Sequence, residues 1–266
     1  MTEADLDRAA ELLRAADAVL VCAGAGMGVD SGLPDFRGTE GFWRAYPPYE
    51  RLGIEFEELA DPVHFAEDPD LAWGFYGHRL RLYRDTVPHA GFAVLRSWGA
   101  RVFTSNVDGQ FQEAGFEHTA EVHGSIHHLQ CTGPCGSAVW AADVEVEVDP
   151  LTMRARGDLP ECARCGALAR PNILMFGDRT WVPDRSQAAL DELTTWRRGL
   201  AGKNLVVVEI GAGQAVPTVR RQAELASAAS GGLIRINPRE AEVRHGRGIS
   251  LPMGALAALE ELQSRL

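Results

Sequence analysis

The sequence predicts an α/β protein built on a doubly wound parallel sheet, with a smaller module inserted into it. Three observations predict this. The first is Ala18–Gly38, AVLVCAGAGMGVDSGLPDFRG, where a short apolar run of the kind buried on both faces of a parallel sheet ends in a glycine cluster. The second is Asn204–Ile210, NLVVVEI, followed by Gly211-Ala212-Gly213, a helical run over Thr218–Ala229 and a further apolar run, Leu233–Ile236. Strand, glycine turn, helix and strand make a parallel crossover unit, so both ends of the chain share one sheet. The third is a pair of cysteine pairs, Cys131 with Cys135 and Cys162 with Cys165, lying between those two regions and marking a small unit of its own.

Taken in order, Thr2 to Arg14 set Leu6, Ala9, Ala10, Leu12 and Leu13 among charged residues at helical spacing, leading into the strand at Ala18. Glycines straight after that strand let the backbone approach a phosphate with no Cβ in the way, and a plain tight turn fits the same residues. The ordinary dinucleotide fingerprint is not matched. Gly24 and Gly26 stand for its first two glycines, Val29 occupies the place of the third, and no second strand with an acidic end comes about twenty residues on. Beyond Gly38 the chain is rich in aromatics and prolines from Phe42 to Tyr49 without a clean period, which predicts an irregular, mobile loop up to about Leu71. Leu71, Phe75, Leu80 and Tyr83 then recur at helical spacing over Leu71–Arg84, and His89–Trp98 supplies a second helical segment. Arg101–Thr104 reads as a core strand running into the turn Ser105-Asn106-Val107-Asp108-Gly109, where open α/β sheets bind ligands. Val122-His123-Gly124 closes a short extended segment, and Met253–Leu266 forms the last helix. There is no internal repeat and no low-complexity linker.

A length of 266 residues, 45% hydrophobic content and a formal net charge of −11 predict one sizeable core and argue against a nucleic-acid-binding surface. The acidity suits a basic peptide partner. No apolar run approaches the roughly 20 residues of a membrane span, and no leader pattern opens the chain, so a cytoplasmic protein without a membrane partner is the expectation. The oligomeric state is left open.

Four of the five cysteines fall in the two pairs, the fifth being Cys22 inside the first strand. Three residues separate Cys131 from Cys135 and two separate Cys162 from Cys165, with Gly136 and Gly166 directly after each pair. Four thiolates around a tetrahedral centre suit Zn²⁺ in a closed, structural site, while a disulfide or unrelated thiols remain the alternatives. His127 and His128 are near enough in sequence to replace a thiolate; with four cysteines available they read as loop histidines. Val139, Val144, Val146 and Val148 with interleaved acids over Ala138–Met153 predict a strand or hairpin, so the inserted unit reads as a zinc ribbon.

Gly24-Ala25-Gly26 through Pro34-Asp35-Phe36-Arg37-Gly38 resembles the first signature of the sirtuins, the NAD-dependent protein-lysine deacylases. Four further matches occur in the family's order: Thr104–Gly109, Val122-His123-Gly124, the two cysteine pairs, and Arg170–Asp178, RPNILMFGD. The resemblance spans about Ala18 to Asn237. It implies a Rossmann-like NAD domain over about 1–40, 86–124 and 172–266, with a small module of helices over about 41–85 and the zinc ribbon over about 125–171. It implies NAD as co-substrate, Zn²⁺ as a structural ion and an acyl-lysine protein as partner. By matching position, His123 is the general base and Asn106 orders the ribose and nearby water. Asp108 and the backbone of Val107 hold the nicotinamide carboxamide. Asp35, Phe36 and Arg37 line the cofactor's reactive half, Gly24, Ala25 and Gly26 meet the diphosphate, and Asn237 meets the adenosine ribose. The acyl-lysine threads as an extended strand along Leu174, Met175, Phe176 and Gly177.

The chain departs from the family pattern at Ser105, where glutamine is usual, at Gly213 in the Gly211-Ala212-Gly213 turn, where serine is usual, and at Asp178, where glutamate is usual. These departures bear on cofactor affinity and substrate preference and leave His123, Asn106 and Asp108 in place. Two alternatives share the pocket: an NAD glycohydrolase or ADP-ribosyltransferase, and a catalytically silent module that reads NAD or acyl-lysine. Tyr76 and Arg79, three apart on the predicted helix, fall on one face and resemble the Tyr-x-x-Arg pair of those sirtuins that remove succinyl and malonyl groups. The other reading of the pair is an aromatic in the core beside a surface arginine.

Overall fold

The computed structural model describes residues 2–35, 38–133, 135–136, 139–230, 232–243 and 248–266. Its strands are, in chain order, β1 (Ala18–Ala23), β2 (Arg101–Thr104), β3 (Thr119–Glu121), β4 (Gly124–Cys131), β5 (Val139–Ala141), β6 (Glu147–Val148), β7 (Ala155–Arg156), β8 (Ala169–Ile173), β9 (Leu205–Ile210), β10 (Gly232–Ile236) and β11 (Ile249–Leu251). The helices are α1 (Glu3–Arg14), α2 (Gly38–Ala45), α3 (Pro47–Leu52), α4 (Phe56–Leu59), α5 (His64–Glu67), α6 (Pro69–Asp85), α7 (Ala90–Ser97), α8 (Gln110–Glu113), α9 (Asp184–Arg198), α10 (Thr218–Ser230) and α11 (Ala255–Ser264).

Six strands pair in parallel in the order β11-β10-β9-β1-β2-β3. Chain order runs outward from β1 in one direction and from β9 in the other, so the sheet is doubly wound with its reversal between β1 and β9. Alternation along β1 explains the layers. Val19, Val21 and Ala23 face a core with Leu6, Leu13, Phe92, Leu95, Leu259 and Leu262 from α1, α7 and α11. Leu20 and Cys22 face the other core, with Leu193 of α9 and Val219 and Ala223 of α10. Both faces are covered, which is why β1 and β9 read as continuous apolar runs. Glu209, within β9 and fully buried, is held by Arg235 of β10 through two bonds of 2.8 Å.

The inserted module is a second body with its own core. Antiparallel β5-β4-β8 and the β6–β7 hairpin pack with α2 to α6 around Phe42, Tyr46, Tyr49, Phe65, Trp73, Phe75 and Tyr76. The loop expected up to Leu71 is therefore corrected where it is described. Residues 38–67 form four short helices, too short for a periodic signal and held by ring contacts such as Phe42 on Tyr49 at 5.9 Å. His127 and His128, expected in a loop, lie in β4. The expected hairpin over Ala138–Met153 is divided: β5 pairs with β4, and β6 pairs with β7. Helix α9 and strands β8 and β11 were not anticipated, the two strands because runs of three to five residues carry little pattern, while the short extended segment expected before His123 is β3.

Candidate active site

Every sheet strand from β10 to β3 runs in one direction, so their C-terminal ends lie along one edge. The segments singled out in the sequence are the continuations of those ends: Gly24 after β1, Ser105–Asp108 after β2, His123 just past β3, Gly211–Gly213 after β9 and Asn237 after β10. A cavity of about 570 Å³ opens there, at the reversal of strand order. Gly24, Ala25, Asp35, Ser105, Asn106, Val107, Asp108, His123, Gly211 and Gly213 line it, together with Tyr76, Arg79, Leu174, Met175 and Phe176. Gly26, Asn237 and Gly177 are not part of that lining. Phe36 and Arg37 lie outside the described residues.

The floor is made of backbone in close contact. Gly24 N donates to Ile210 O at 2.9 Å and Gly26 N to Gly211 O at 3.1 Å, tying the turn after β1 to the turn after β9. A Cβ on Gly24 would lie 2.7 Å from Gly211 O, and one on Gly211 would lie 2.4 Å from the Gly26 Cα. Bare backbone at this crossing is therefore a steric requirement, and it leaves a cradle of the kind a diphosphate occupies. Asn237, fully buried, donates to Ala212 O at 3.0 Å and accepts from Arg239 N at 3.2 Å, so its side chain fastens the two neighbouring loops. Arg220 of α10 donates to the same Ala212 carbonyl at 3.0 Å.

Polar groups hang over that floor. Asn106 Nδ2 donates to Gly24 O at 3.0 Å, and Asn106 N donates to Thr104 Oγ1 at 3.0 Å. Thr104 Oγ1 in turn donates to Ala23 O at 2.9 Å, so β1 and β2 jointly fix the asparagine. Asp108 Oδ1 accepts from Gln110 N at 2.9 Å, yet burial pushes the carboxyl up from 3.8 to about 6. Arg79 across the cavity works in the opposite direction and lowers it. His123 is held by its carbonyl, which accepts from Leu174 N at 2.9 Å; burial lowers its imidazole below the ordinary 6.5, so the ring is neutral at pH 7.

The opposite wall comes from the inserted module. Arg79 is 5% exposed, which removes the reading of a surface arginine. Its guanidinium donates to Tyr83 Oη at 2.8 and 3.1 Å and lies 5.0 to 5.8 Å from the ring centres of Phe75, Tyr83, Tyr76 and Phe56. Tyr76 is also buried. Tyr83 and Phe56 are cavity residues that sequence reasoning missed. Tyr83 stands one turn beyond Arg79 and was legible from i to i+4 spacing; Phe56 gave no signal. Along Leu174–Gly177 the amides of Leu174 and Phe176 are engaged with His123 O and Ala60 O, at 2.9 and 3.0 Å. Leu174 and Phe176 are themselves exposed, so beyond these amides the segment offers their side chains to solvent.

Away from the cavity the four sulfurs of Cys131, Cys135, Cys162 and Cys165 lie within 4.8 Å of one another. Neighbouring Sγ atoms are 3.4 to 3.6 Å apart, and none is in a disulfide. A tetrahedron with metal–sulfur bonds of about 2.3 Å has edges of roughly 3.8 Å, so the cluster fits Zn²⁺ coordination. The site ties β4 to the chain just before β8, the two strands that carry the module onto the sheet.

Among the described residues no helix is long and apolar enough to cross a membrane. The model of the Sir2 family matches residues 24–197. An NAD-dependent protein deacylase of Pyrococcus furiosus is 34% identical over 77% of the chain and 76% of the relative. NAD-dependent protein deacylase 1 of Archaeoglobus fulgidus is 31% identical over 92% of the chain and 91% of the relative. Among solved structures, a Sir2 homologue in complex with NAD superposes with a TM-score of 0.74 at 28% identity, covering 99% of this chain and 93% of that one. A Sir2 homologue with ADP-ribose gives 0.71 at 27% identity over 100% and 96%. A reversed parallel sheet, a bare-backbone cradle at its reversal, a neutral histidine over that cradle and a four-cysteine ribbon are thus joined to sequence likeness over most of the length, and the chain belongs to the Sir2 family.

Proposed function

We propose that the protein removes acyl groups from lysine side chains of other proteins at the expense of NAD, giving nicotinamide, an O-acyl-ADP-ribose and free lysine. The observation that supports this most is the convergence of Asn106, Asp108 and His123 on the one cavity whose floor is the Gly24–Gly211 crossing. NAD supplies a ribose carbon open to attack by the acyl oxygen when nicotinamide leaves. The backbone at Gly24, Ala25 and Gly211 receives the diphosphate, and Asp108 accepts from the nicotinamide amide. Asn106, locked by Gly24 O and Thr104 Oγ1, orients the ribose. His123, neutral at pH 7, takes the proton from the ribose hydroxyl beside the reacting carbon. The substrate lysine enters over Leu174 and Phe176, which are 36% and 38% exposed on either side of buried Met175.

The acyl group accepted carries a distal carboxylate. Arg79 and Tyr76 line the same cavity as His123, and a guanidinium held in a ring of aromatics is a fixed, desolvated cation suited to a carboxylate. Mass spectrometry of succinyl-lysine and acetyl-lysine peptides incubated with NAD tests both statements. O-Acyl-ADP-ribose, with the succinyl peptide preferred, is the expected product. Free ADP-ribose without acyl transfer, or an ADP-ribosylated peptide, would replace the first statement by hydrolase or transferase chemistry.

A further inference from the structure

The turn that carries Asp108 stands between two cavities. One face lines the reaction cavity, and Asp108 and Gly109 also line a second cavity of about 370 Å³ on the far side. The turn is held from β4. The register of β4 against β8 shifts between Ser125 and Leu129, which frees the intervening residues from that ladder. Ile126 N then donates to Val107 O at 2.9 Å, and the next residue, His127, places Nε2 2.8 Å from Asp108 O. A carbonyl only accepts, so Nε2 carries the proton and donates. Two consecutive carbonyls of the turn are thus gripped by two consecutive residues of the strand. Gly109 makes the approach feasible: its φ is +76°, and a Cβ there would lie 2.5 Å from the His127 ring. The ring is fixed in turn through its own backbone, since His127 O accepts from Ala142 N, just past β5, at 2.9 Å.

We propose that His127 is a positioning residue for the NAD reaction: it sets the height and tilt of Asp108 and so the binding of nicotinamide, without touching it. The proposal rests on the reading of Asp108 as the nicotinamide ligand. It separates His127 from a merely structural histidine, because the two carbonyls held from β4 belong to Val107 and Asp108, the residues assigned to nicotinamide, while Asn106, assigned to the ribose, is held from β1 and β2. Losing one buried hydrogen bond of about 1–2 kcal/mol should raise the KM for NAD and the nicotinamide inhibition constant about five- to thirtyfold in His127→Ala. Affinity for ADP-ribose, which lacks nicotinamide, should stay within about twofold, an effect of at most a few tenths of a kcal/mol. His127→Gln, with an amide donor at similar reach, should restore most of the nicotinamide response.

Three titrations on purified protein decide it: NAD kinetics, nicotinamide inhibition and ADP-ribose binding, on His127→Ala, His127→Gln and Asp108→Ala. An unchanged nicotinamide response in His127→Ala, with the response lost in Asp108→Ala, overturns the positioning role alone. Parallel loss of nicotinamide and ADP-ribose binding in His127→Ala, unrelieved by glutamine, also overturns it, because that is the mark of a general structural defect. An unchanged response in Asp108→Ala overturns the reading of the site beneath it.

Discussion

The two walls of the cavity are built by opposite means. On the sheet side the chemistry hangs from backbone: strand ends in parallel register bring Gly24, Asn106, Asp108, His123 and Gly211 to one edge, and topology dictates their positions. On the module side the wall is made of side chains from helices, with Arg79 set among Phe56, Phe75, Tyr76 and Tyr83. A sheet edge tolerates little variation in where it puts an atom, whereas a helical wall is re-cut by changing one residue. On the function proposed above, the sheet wall carries the reaction and the module wall carries the choice of acyl group.

The largest effect expected from this division comes from removing the metal. The ribbon sulfurs link β4 to the approach of β8, and structural zinc sites contribute on the order of 10 kcal/mol of folding free energy. Stripping zinc with a strong chelator should abolish turnover and strip amide hydrogen-exchange protection from β4, β5 and β8, while β1 and β9 stay protected by their two apolar layers. Simultaneous loss of protection in β1 would mean that the two bodies unfold as one.

Next in size is the base. His123→Ala should lower turnover by about 10²–10⁴-fold, the usual contribution of a positioned base, with NAD still bound, because the cradle is backbone. Turnover within a factor of a few of the parent, with the melting temperature unchanged, would place the base elsewhere on the sheet edge.

The contrast between the walls also explains what was readable in the sequence. Residues after β1, β2 and β9 were legible because a buried parallel strand announces itself by an apolar run, and the residues just beyond such a run must lie at the sheet's edge; His123 past β3 rested on the family resemblance, since Thr119–Glu121 is no apolar run. Glu209 shows where that fails: it sits inside the apolar run of β9, and its partner Arg235 lies 26 residues later on β10, a pairing set by tertiary register alone. Asn237 was assigned to the ligand by the family resemblance, but a side chain that can also bond loops was bound to be ambiguous, and here it fastens Ala212. The module was opaque for a different reason. Helices of four to eight residues such as α2 to α5 have no period to detect, so Phe56 came from packing, not pattern, whereas Phe75, Tyr76, Arg79 and Tyr83 stood out on the periodic helix α6. His127 was visible only as a candidate ligand, because its partner is a backbone carbonyl 19 positions away.

A third test asks whether the module wall governs selectivity alone. Arg79→Met keeps the length and apolar contacts of the side chain while deleting the charge. Loss of a hydrogen-bonded charge of about 1.5–3 kcal/mol should lower kcat/KM for a succinyl-lysine peptide about ten- to a hundredfold. The acetyl-lysine value should fall much less. Equal losses on both peptides would give Arg79 a role in supporting the Asp108 carboxylate, which its charge already lowers, and would erase the division between the walls.

The smallest effect is in the pH dependence, and it separates the two titrating groups of the sheet wall. Burial lowers His123 below 6.5, so the proposed base is mostly neutral at pH 7. Asp108 is shifted the other way, from 3.8 to about 6, so its carboxylate begins to take up a proton as the pH falls from 7 toward 6. Activity that needs the carboxylate should therefore fall about twofold between pH 7 and 6, as half of the groups become protonated, and should appear in the KM for NAD. Stability moves in the opposite sense for this group. The folded chain binds the Asp108 proton more readily than the unfolded one, so the penalty of the buried charge is full above pH 6 and fades as the pH falls through 6 toward 3.8. The lowered His123 runs counter to it, since the unfolded chain takes up that proton first and withdraws stability below 6.5. In Asp108→Asn the carboxylate's limb near pH 6 should vanish and leave only the one that His123 sets below 6.5. A limb that survives this substitution unchanged would belong to the histidine, and Asp108 would then be ionised throughout the working range.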